Sequence, residues 1–434
     1  MTRSYDAVVI GAGVIGAAVG LELSRKGLKT LNVDMAPAAG YGSTAGSCAI
    51  IRTHYSTLEG SAFAYEGFYY WKAWRDYLGV DDERGLAEFR QCGCVVMKTA
   101  ANKELAHVKA HMDALGIPYE DLDAEGLKRK LPYFDTQLYY PPKRPEDEGF
   151  GEPTGGALPG GVYFPYAGYI TDPQLSAHNL QRAAEASGGE FVFRKRVVSI
   201  DKDASGRLAG VTLDDGTTIS TRVVVNVAGP HSYKVNELAG ATGDMKITTR
   251  ALKQEVVHVP MPVDGYDRVG MVTSDSDIAC YTRPEKGGFV LVGSEDPPCD
   301  PREWVDPDDW DRNFSEQWRV QALRAAQRIP NLGIPSQMKG VTELYDVTED
   351  WIPIYDKSCV PGFYMACGSS GNQFKNAPVA GAMMADLIEK VENGHDHDAD
   401  PVQFALKHIG RATNVGFYSR LRTINPESSF SVLG

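Results

Sequence analysis

The sequence has few cysteines, no long uninterrupted apolar run and no excess of positive charge. Its 434 residues include seven cysteines, an odd number at irregular spacing, which does not match a disulfide framework and fits a reducing compartment. The apolar stretch 8–21 is interrupted by four glycines, so it does not predict a membrane-spanning helix. The formal net charge of -13 argues against nucleic acid as a partner, because a phosphate backbone attracts basic surfaces.

The composition is that of a folded, multidomain protein. Hydrophobic residues make up 43% of the chain, and the length favours about two to three domains. A strand is predicted from about Ala7, which leaves no space before it for a signal peptide. We therefore expect a cytoplasmic protein.

The first 34 residues predict a strand, a helix and a second strand, over residues 7–10, 15–26 and 30–34. The turn after the first strand carries glycines with dinucleotide-binding spacing: Gly11, Gly13 and Gly16. Such glycines allow a tight turn and the close approach of a pyrophosphate to the helix N-terminus. Asp34, at the end of the second strand, would accept hydrogen bonds from ribose hydroxyls and disfavours a 2′-phosphate.

Three later segments contain small residues against which a cofactor could lie. The first segment, residues 43–47, follows the second strand, and the second, residues 228–229, ends a mid-chain strand. The third, residues 367–375, is a glycine loop between a strand and a helix. Each taken alone is equally compatible with an ordinary loop or turn. The candidate cofactor contacts in these segments are Ser43, Thr44, Ala45, Ala228, Gly229, Gly368, Gly371, Asn372, Gln373, Phe374 and Lys375.

Five separated segments, in this order, resemble the FAD-dependent D-amino-acid oxidase superfamily, and especially its sarcosine oxidase branch. The segments are the glycine turn with Asp34, residues 50–55, residues 165–173, the pair 228–229 and the loop 368–375. The resemblance covers about residues 5 to 392. It implies an α/β fold in which a Rossmann-like FAD-binding domain is joined to a second, sheet-based substrate domain. The cysteine that anchors flavin in part of this branch has no counterpart in residues 341–345, so non-covalent FAD is expected.

The FAD-binding domain is predicted to be discontinuous and to comprise residues 1–85, 160–230 and 335–395. The substrate domain is predicted to comprise residues 86–159 and 231–334, with residues 396–434 as a C-terminal tail. Residues 132–161 are rich in proline and glycine, which predicts a long loop. A second hypothesis is that this loop acts as a lid.

The resemblance also implies candidate catalytic residues. In that branch an arginine and a lysine hold the substrate carboxylate over the flavin, and the matching positions here are Arg52 and Lys375. A guanidinium offers a planar fork to a carboxylate, and an ammonium adds a point charge; the alternative for each is a surface ion pair. Tyr281 matches an active-site tyrosine, with core packing as the alternative. Val197 matches a position whose backbone contacts adenine, or is a plain strand valine.

Two further candidates and one departure complete the predicted site. His54, two residues after Arg52, is expected near the flavin unless it is a structural histidine. Glu295 replaces a histidine of the branch and would pair with a cationic part of the substrate, or is a solvated loop acid. The lysine with which sarcosine oxidase activates oxygen has no counterpart in residues 289–293, which leaves the use of oxygen open. No metal site is predicted.

The implied reaction is oxidation of a C–N bond in a secondary amine or an N-substituted amino acid. Hydride would pass to flavin N5, the imine would be hydrolysed, and the electrons would go to oxygen or to an electron-accepting partner. Activity should rise with pH, because the amine has to be neutral to react. One alternative is a dehydrogenase subunit that passes electrons to a partner or a quinone. Another is a non-catalytic FAD-binding assembly protein.

Overall fold

Strands from distant parts of the chain form a central six-stranded sheet. The structure is a computed structural model, and it describes residues 3–102 and 105–432. The strands lie in the order Glu190–Phe193, Thr30–Asp34, Ala7–Ile10, Val223–Asn226, Phe363–Cys367 and Ile354–Lys357. The first five are parallel and the last is antiparallel. Their continuous apolar runs follow from burial of both faces.

Both faces of the central sheet are covered. Ala7 and Val9 belong to a core cluster with residues of the helices Val14–Arg25 and Ala377–Glu392, and the helix Pro173–Ala186 packs on the first of these. Val8 and Ile10 alternate to the other face. That face packs against a four-stranded sheet of Arg3–Ser4, Thr218–Ser220, Leu208–Leu213 and Val197–Lys202.

A nine-stranded sheet forms the second large unit of the described structure. Eight strands follow the order Trp304–Val305, Arg250–Pro260, Phe289–Ser294, Cys280–Glu285, Val272–Asp275, Cys94–Met97, Gly160–Phe164 and Glu120–Asp123. The ninth strand, Gly340–Val347, pairs with Arg250–Pro260 over eight residue pairs. The amphipathic helix Glu316–Arg328 covers this sheet through Trp318 and Ala322. The predicted α/β fold, with a Rossmann-like sheet and a second sheet-based unit, is therefore observed.

The predicted domain boundaries cut across this second sheet. The strands Gly160–Phe164 and Gly340–Val347 hydrogen-bond within it, although they fall in the predicted FAD-binding ranges 160–230 and 335–395. The division into domains stays a prediction, and the strand pairing assigns these two strands to the sheet of the other unit.

The remaining elements are short or peripheral. The other α-helices are Leu58–Lys72, Trp74–Leu78, Leu105–Leu115, Ala124–Lys130, Ser232–Ala239 and Tyr266–Val269. The 3-10 helices are Gly229–His231, Phe374–Asn376 and Val415–Tyr418. A small sheet joins Ile50–Ile51, Gly168–Ile170 and Phe89–Arg90.

Two predicted helices differ from the observed ones. The aromatic-rich pattern of residues 57–78 predicts one long helix, whereas the observed helix is interrupted at Ala73, whose ψ of 37° is not helical. The sequence also predicts a helix over residues 102–115. In the described structure this helix is Leu105–Leu115, and residues 103–104 lie outside the described residues. No described helix is long and apolar enough to cross a membrane.

The loop 132–161 is attached to the helix Glu316–Arg328. Arg328 Nη1 donates to the carbonyl oxygens of Asp135 and Gln137 at 2.9 and 2.6 Å, and Arg324 Nε donates to that of Lys143 at 2.9 Å. None of the loop residues lines the large cavity described below. The structure does not support the interpretation of this loop as a lid.

The tail forms an ordered extension of the first unit. Its hairpin of Gln403–Leu406 and Arg411–Asn414 contributes Phe404 and Leu406 to the core under the central sheet. Arg420 then pairs with Asp356 at 3.0 Å. The tail therefore packs against the first unit, and the chain continues to Val432 at the cavity.

Candidate active site

A cavity of about 760 Å³ lies where the two large sheets meet. On one side it is lined by residues at the carboxyl ends of four parallel central strands: Ile10, Asp34, Val227 and Cys367. On the other side it is lined by residues of the nine-stranded sheet, including Val256, Thr273, Tyr281 and Tyr345. The carboxyl ends of parallel strands are where open α/β sheets bind ligands.

The glycine turn forms one wall of this cavity with the geometry that its sequence predicts. Gly11 has φ +121°, and a β-carbon on it would lie 2.3 Å from the carbonyl oxygen of Val227. A β-carbon on Gly16 would lie 2.4 Å from the carbonyl oxygen of Gly11. Gly13 is the N-cap residue of the helix Val14–Arg25, and it places no side chain at the helix N-terminus. The helix N-terminus at the cavity can therefore receive a phosphate.

Asp34 is held at the cavity wall by two backbone donors. Its Oδ2 accepts from Ala12 N and its Oδ1 accepts from Ala36 N, both at 2.7 Å. These bonds fix the orientation of the half-buried carboxylate and leave lone pairs for ribose hydroxyls. Val197, on the adjacent four-stranded sheet, is buried and also lines the cavity.

Most of the remaining predicted cofactor contacts also line the cavity. They are Ser43, Thr44, Ala228, Gly229, Gly371, Asn372, Gln373, Phe374 and Lys375. Thr44 Oγ1 accepts from Val14 N at 3.1 Å, which joins the 43–47 loop to the helix start.

Two predicted contacts do not line the cavity. Ala45 has an exposed side chain on the outside of its loop. Gly368 supports its loop instead: its N–H donates to Asp346 Oδ2 at 2.5 Å, and a β-carbon on it would lie 2.3 Å from Thr348. The cofactor contacts expected of Ala45 and Gly368 therefore stay predictions, and neither residue is among those that line the cavity.

Arg52 is buried at the cavity, with 6% of its surface exposed. Its guanidinium lies 4.1 Å from the ring centre of Tyr55. Nη2 donates to the carbonyl oxygen of Val432 at 2.6 Å, and Nη1 donates to that of His54. These acceptors are neutral backbone groups.

Lys375 is the second buried cation, with 4% of its surface exposed. Its Nζ donates to the Tyr55 hydroxyl at 3.0 Å and to the carbonyl oxygen of Asn372 at 2.7 Å. The surface ion-pair alternative is thus wrong for both cations. Within residues 3–102 and 105–432, no carboxylate lies within 4.0 Å of the charged nitrogens of either side chain.

The electrostatic surroundings of the two cations favour an anion. Burial lowers the pKa of Lys375 well below its usual range, and the nearby Arg52 lowers it further. Burial likewise lowers the pKa of Arg52. A buried cation without a counter-ion is costly, so a bound carboxylate would relieve an existing penalty.

Glu295 is the acidic member of the same cavity. Its Oε1 accepts from Ser274 Oγ at 2.6 Å and from Asp275 N at 3.1 Å. The side chain is half-buried, and burial raises its pKa to about 7. It is therefore a positioned cavity acid and not a freely solvated one.

His54 is a neutral aromatic group at the cavity. Its ring stacks on Phe164 with ring centres 4.2 Å apart. Neither ring nitrogen has a hydrogen-bond partner among the described residues. Burial, with the charges of Arg52 and Lys375, lowers its pKa well below the usual range.

Tyr281 lines the cavity, and its ring lies beside Gly293. A β-carbon on Gly293 would lie 2.1 Å from the tyrosine ring, so glycine is what allows this position. The Tyr281 hydroxyl is 3.5 Å from Cys48 Sγ, and burial raises its pKa well above the usual range.

Several cavity residues had no signal in the sequence. They are Cys48, Cys94, Thr273, Ser274, Tyr345 and Val432. Tyr345 could have been inferred only from the loop glycine that it covers, because a β-carbon on Gly371 would lie 2.3 Å from its ring. Val432 reaches the cavity through the path of the tail, which no local pattern indicates.

The glycine turn, the fixed Asp34 and the cavity that continues to Arg52 and Lys375 fit FAD, and together with the fold they define an FAD-dependent oxidoreductase. A family model described as "FAD dependent oxidoreductase" matches residues 6–387. The chain belongs to this family, and FAD is its cofactor. The family, the fold class and the oxidoreductase class predicted from the sequence are confirmed.

Named proteins similar to this chain include both oxidases and a dehydrogenase. Glycine oxidase of Geobacillus kaustophilus (strain HTA426) is 25% identical over 95% of this chain and 99% of its own length. N-methyl-L-tryptophan oxidase of Yersinia pestis is 27% identical over 51% of this chain and 53% of its own length. The crystal structure of L-proline dehydrogenase from P. horikoshii superimposes with a TM-score of 0.75 at 20% identity, covering 97% of this chain and 98% of that one.

Proposed function

We propose that this protein oxidises the C–N bond of a secondary amine or N-substituted amino acid that carries a carboxylate. The observation on which this rests is the pair of buried cations, Arg52 and Lys375, at the FAD cavity without a carboxylate partner in the described part of the chain. An amino-acid carboxylate supplies the missing charge, and its two oxygens match the guanidinium fork.

The names of similar proteins support this substrate class. Glycine, N-methyl-L-tryptophan and L-proline all carry a carboxylate and an amine nitrogen, and they appear in the names of two oxidases and one dehydrogenase. This similarity supports the class of substrate and leaves open which member of it the present chain uses.

The residues of the cavity can be assigned distinct tasks. Arg52 and Lys375 hold the carboxylate, which fixes the α-carbon relative to the cofactor. Bound FAD would supply the hydride acceptor for the C–H bond of that carbon, and the iminium of the substrate would then be hydrolysed by water. Glu295 removes the proton from the substrate ammonium, because a carboxylate whose pKa is about 7 is a competent base near neutral pH. His54, kept neutral, adds no third positive charge.

Anaerobic reduction of the flavin tests the proposal. The purified holoprotein would be mixed with N-methyl amino acids, D- and L-amino acids, and simple secondary amines, and the oxidised flavin band would be followed. We expect bleaching by carboxylate-bearing amines. Absence of bleaching by every compound would contradict the proposal and favour a non-catalytic FAD-binding protein.

Readmission of air separates two classes of electron acceptor. The strand Phe289–Ser294 contains no lysine, and this favours a dehydrogenase that delivers electrons to a partner or a quinone. Slow recolouring in air with fast recolouring by a soluble quinone would support the dehydrogenase. Fast recolouring by oxygen would identify an oxidase.

A further inference from the structure

The end of the described chain reaches the proposed substrate site. Residues 428–432, here termed the C-terminal strap, follow Arg422, which forms an ion pair with Asp350. The strap begins at the buried Ser428, whose hydroxyl donates to the carbonyl oxygen of Asp350 at 2.5 Å. It ends at Val432, which lines the cavity and packs against a cluster containing Trp351.

The contact at the end of the strap involves Arg52 Nη2, an atom that we expect to bind the substrate carboxylate. Arg52 Nη2 donates to the Val432 carbonyl oxygen at 2.6 Å, whereas a substrate carboxylate would need the same guanidinium edge. A charged acceptor forms a stronger bond with a guanidinium than a neutral carbonyl does. The carboxylate would therefore displace the carbonyl rather than bind beside it.

The strap is held in a way that permits this displacement. Between its ends, Arg302 Nη2 donates to the Phe430 carbonyl oxygen at 3.2 Å and Ser429 N donates to Ser56 Oγ at 3.2 Å. Within the strap, Phe430 N donates to Ser428 Oγ at 3.1 Å, and the hydroxyls of Ser429 and Ser431 are hydrogen-bonded at 2.9 Å. Phe430 has φ +52°, a strained conformation for a bulky residue, and its side chain is 40% exposed. Release of the strap relieves this strain.

We propose that the C-terminal strap is an autoinhibitory plug whose Val432 carbonyl occupies the carboxylate position on Arg52 until a carboxylate ligand displaces it. This inference rests on the proposed function for the identity of the substrate. The plug itself requires only that a carboxylate binds Arg52.

A binding experiment without turnover tests the plug. In the variant that ends at Phe430, Val432 is absent while Ser428 and its anchor remain. The Kd of acetate, measured from the change in the flavin absorption spectrum of the holoprotein, should fall about tenfold, the effect of removing one competing hydrogen bond to a charged donor. Acetamide, which has the same size and no charge, should bind more weakly than acetate to both proteins. An unchanged or higher acetate Kd would overturn the plug.

Two further variants keep the result interpretable. Arg302→Met releases Phe430 without shortening the chain, and should tighten acetate binding in the same direction. Adding Arg52→Met to the shortened chain should abolish the gain; a gain that persists would show that acetate binds elsewhere and would refute the proposal.

Amide hydrogen exchange of the full chain reports on the strap directly. Saturating acetate should speed exchange at residues 429–432, and acetamide should not. Equal protection with and without acetate would refute displacement. Because acetate is not oxidised, these results stand even if no amine bleaches the flavin, so failure of the proposed function and failure of the plug are distinguishable.

Discussion

Replacing Arg52 with methionine should separate substrate binding from protein stability. Methionine keeps most of the side-chain volume and removes the guanidinium. If the guanidinium makes two hydrogen bonds to a substrate carboxylate, each contributing roughly 1.5–3 kcal/mol, their loss is worth about 3–6 kcal/mol. The expected fall in kcat/KM for a carboxylate-bearing amine is therefore about 10²- to 10⁴-fold.

The stability of the same variant should change little. Removing a buried cation without a counter-ion relieves a desolvation penalty of several kcal/mol. Against this, the carbonyl groups of His54 and Val432 lose their donor, at a cost of about 1–3 kcal/mol each. The two effects have similar size and opposite sign, so Tm should remain close to that of the parent protein.

Arg328→Met is the matched control. Arg328 is also buried, with 1% of its surface exposed, but it donates to the buried carboxylates of Asp275 and Asp277 at 2.7 and 2.8 Å. Its removal leaves two carboxylates unpaired and should cost about 3–5 kcal/mol of stability, which a thermal melt would detect.

The assay is anaerobic flavin reduction with an N-methyl amino acid and with the corresponding N-methyl amine that lacks the carboxylate. Arg52→Met should affect the first substrate far more than the second. Equal losses on both substrates, or a fall in Tm as large as that of Arg328→Met, would refute the reasoning.

Five other outcomes are expected. With wild-type protein, kcat/KM should rise through about pH 7 as Glu295 loses its proton, and Glu295→Gln should lack this rise in a pH profile. Burial raises the folded-state pKa of Glu295 from 4.5 to about 7. The contribution of the protonated side chain to stability is therefore present below pH 4.5 and is lost as the pH rises to 7. In urea melts, the free energy of unfolding of Glu295→Gln should increase relative to that of the wild type by up to about 3 kcal/mol between pH 4.5 and 8. Gly11→Ala places a methyl group against Val227 and should yield protein without flavin absorbance. Gly27→Ala is the control, because Gly27 also has a positive φ but is exposed, and nothing lies within 4 Å of the added methyl group. Acid precipitation should release FAD into the supernatant, and flavin retained in the pellet would show a covalent bond. Deletion of residues 146–156 should leave kcat/KM unchanged, and a large change would restore the lid hypothesis.

The cofactor half of the site could be predicted from the sequence because its requirements are local. Gly11, Gly13 and Gly16 have to be glycines for reasons that involve the adjacent turn and helix. Asp34 follows at the end of the next strand, where two neighbouring backbone donors hold it. The apolar strands of the central sheet are likewise apparent as short continuous runs, since burial on both faces removes the need for alternation.

The substrate half needed either a family resemblance or the folded chain. The sequence pattern alone did not distinguish a buried Arg52 from a surface ion pair, because burial depends on which distant segments cover the side chain. Similarly, the regular helix pattern over 57–78 did not show the interruption at Ala73. The loop 132–161 was correctly predicted as irregular, but its attachment to Arg324 and Arg328 depends on packing.

The sequence by itself therefore determined the dinucleotide turn, its acidic partner and the alternation of strands and helices around them, because these depend on backbone conformation and periodicity over a few residues. Only the tertiary structure decided that Gly160–Phe164 and Gly340–Val347 join the nine-stranded sheet, and that Lys375 meets Tyr55 beside Arg52. It alone placed Val432 on Arg52. Such contacts join residues far apart in the chain, and strand order and burial select them through the free energy of the whole fold.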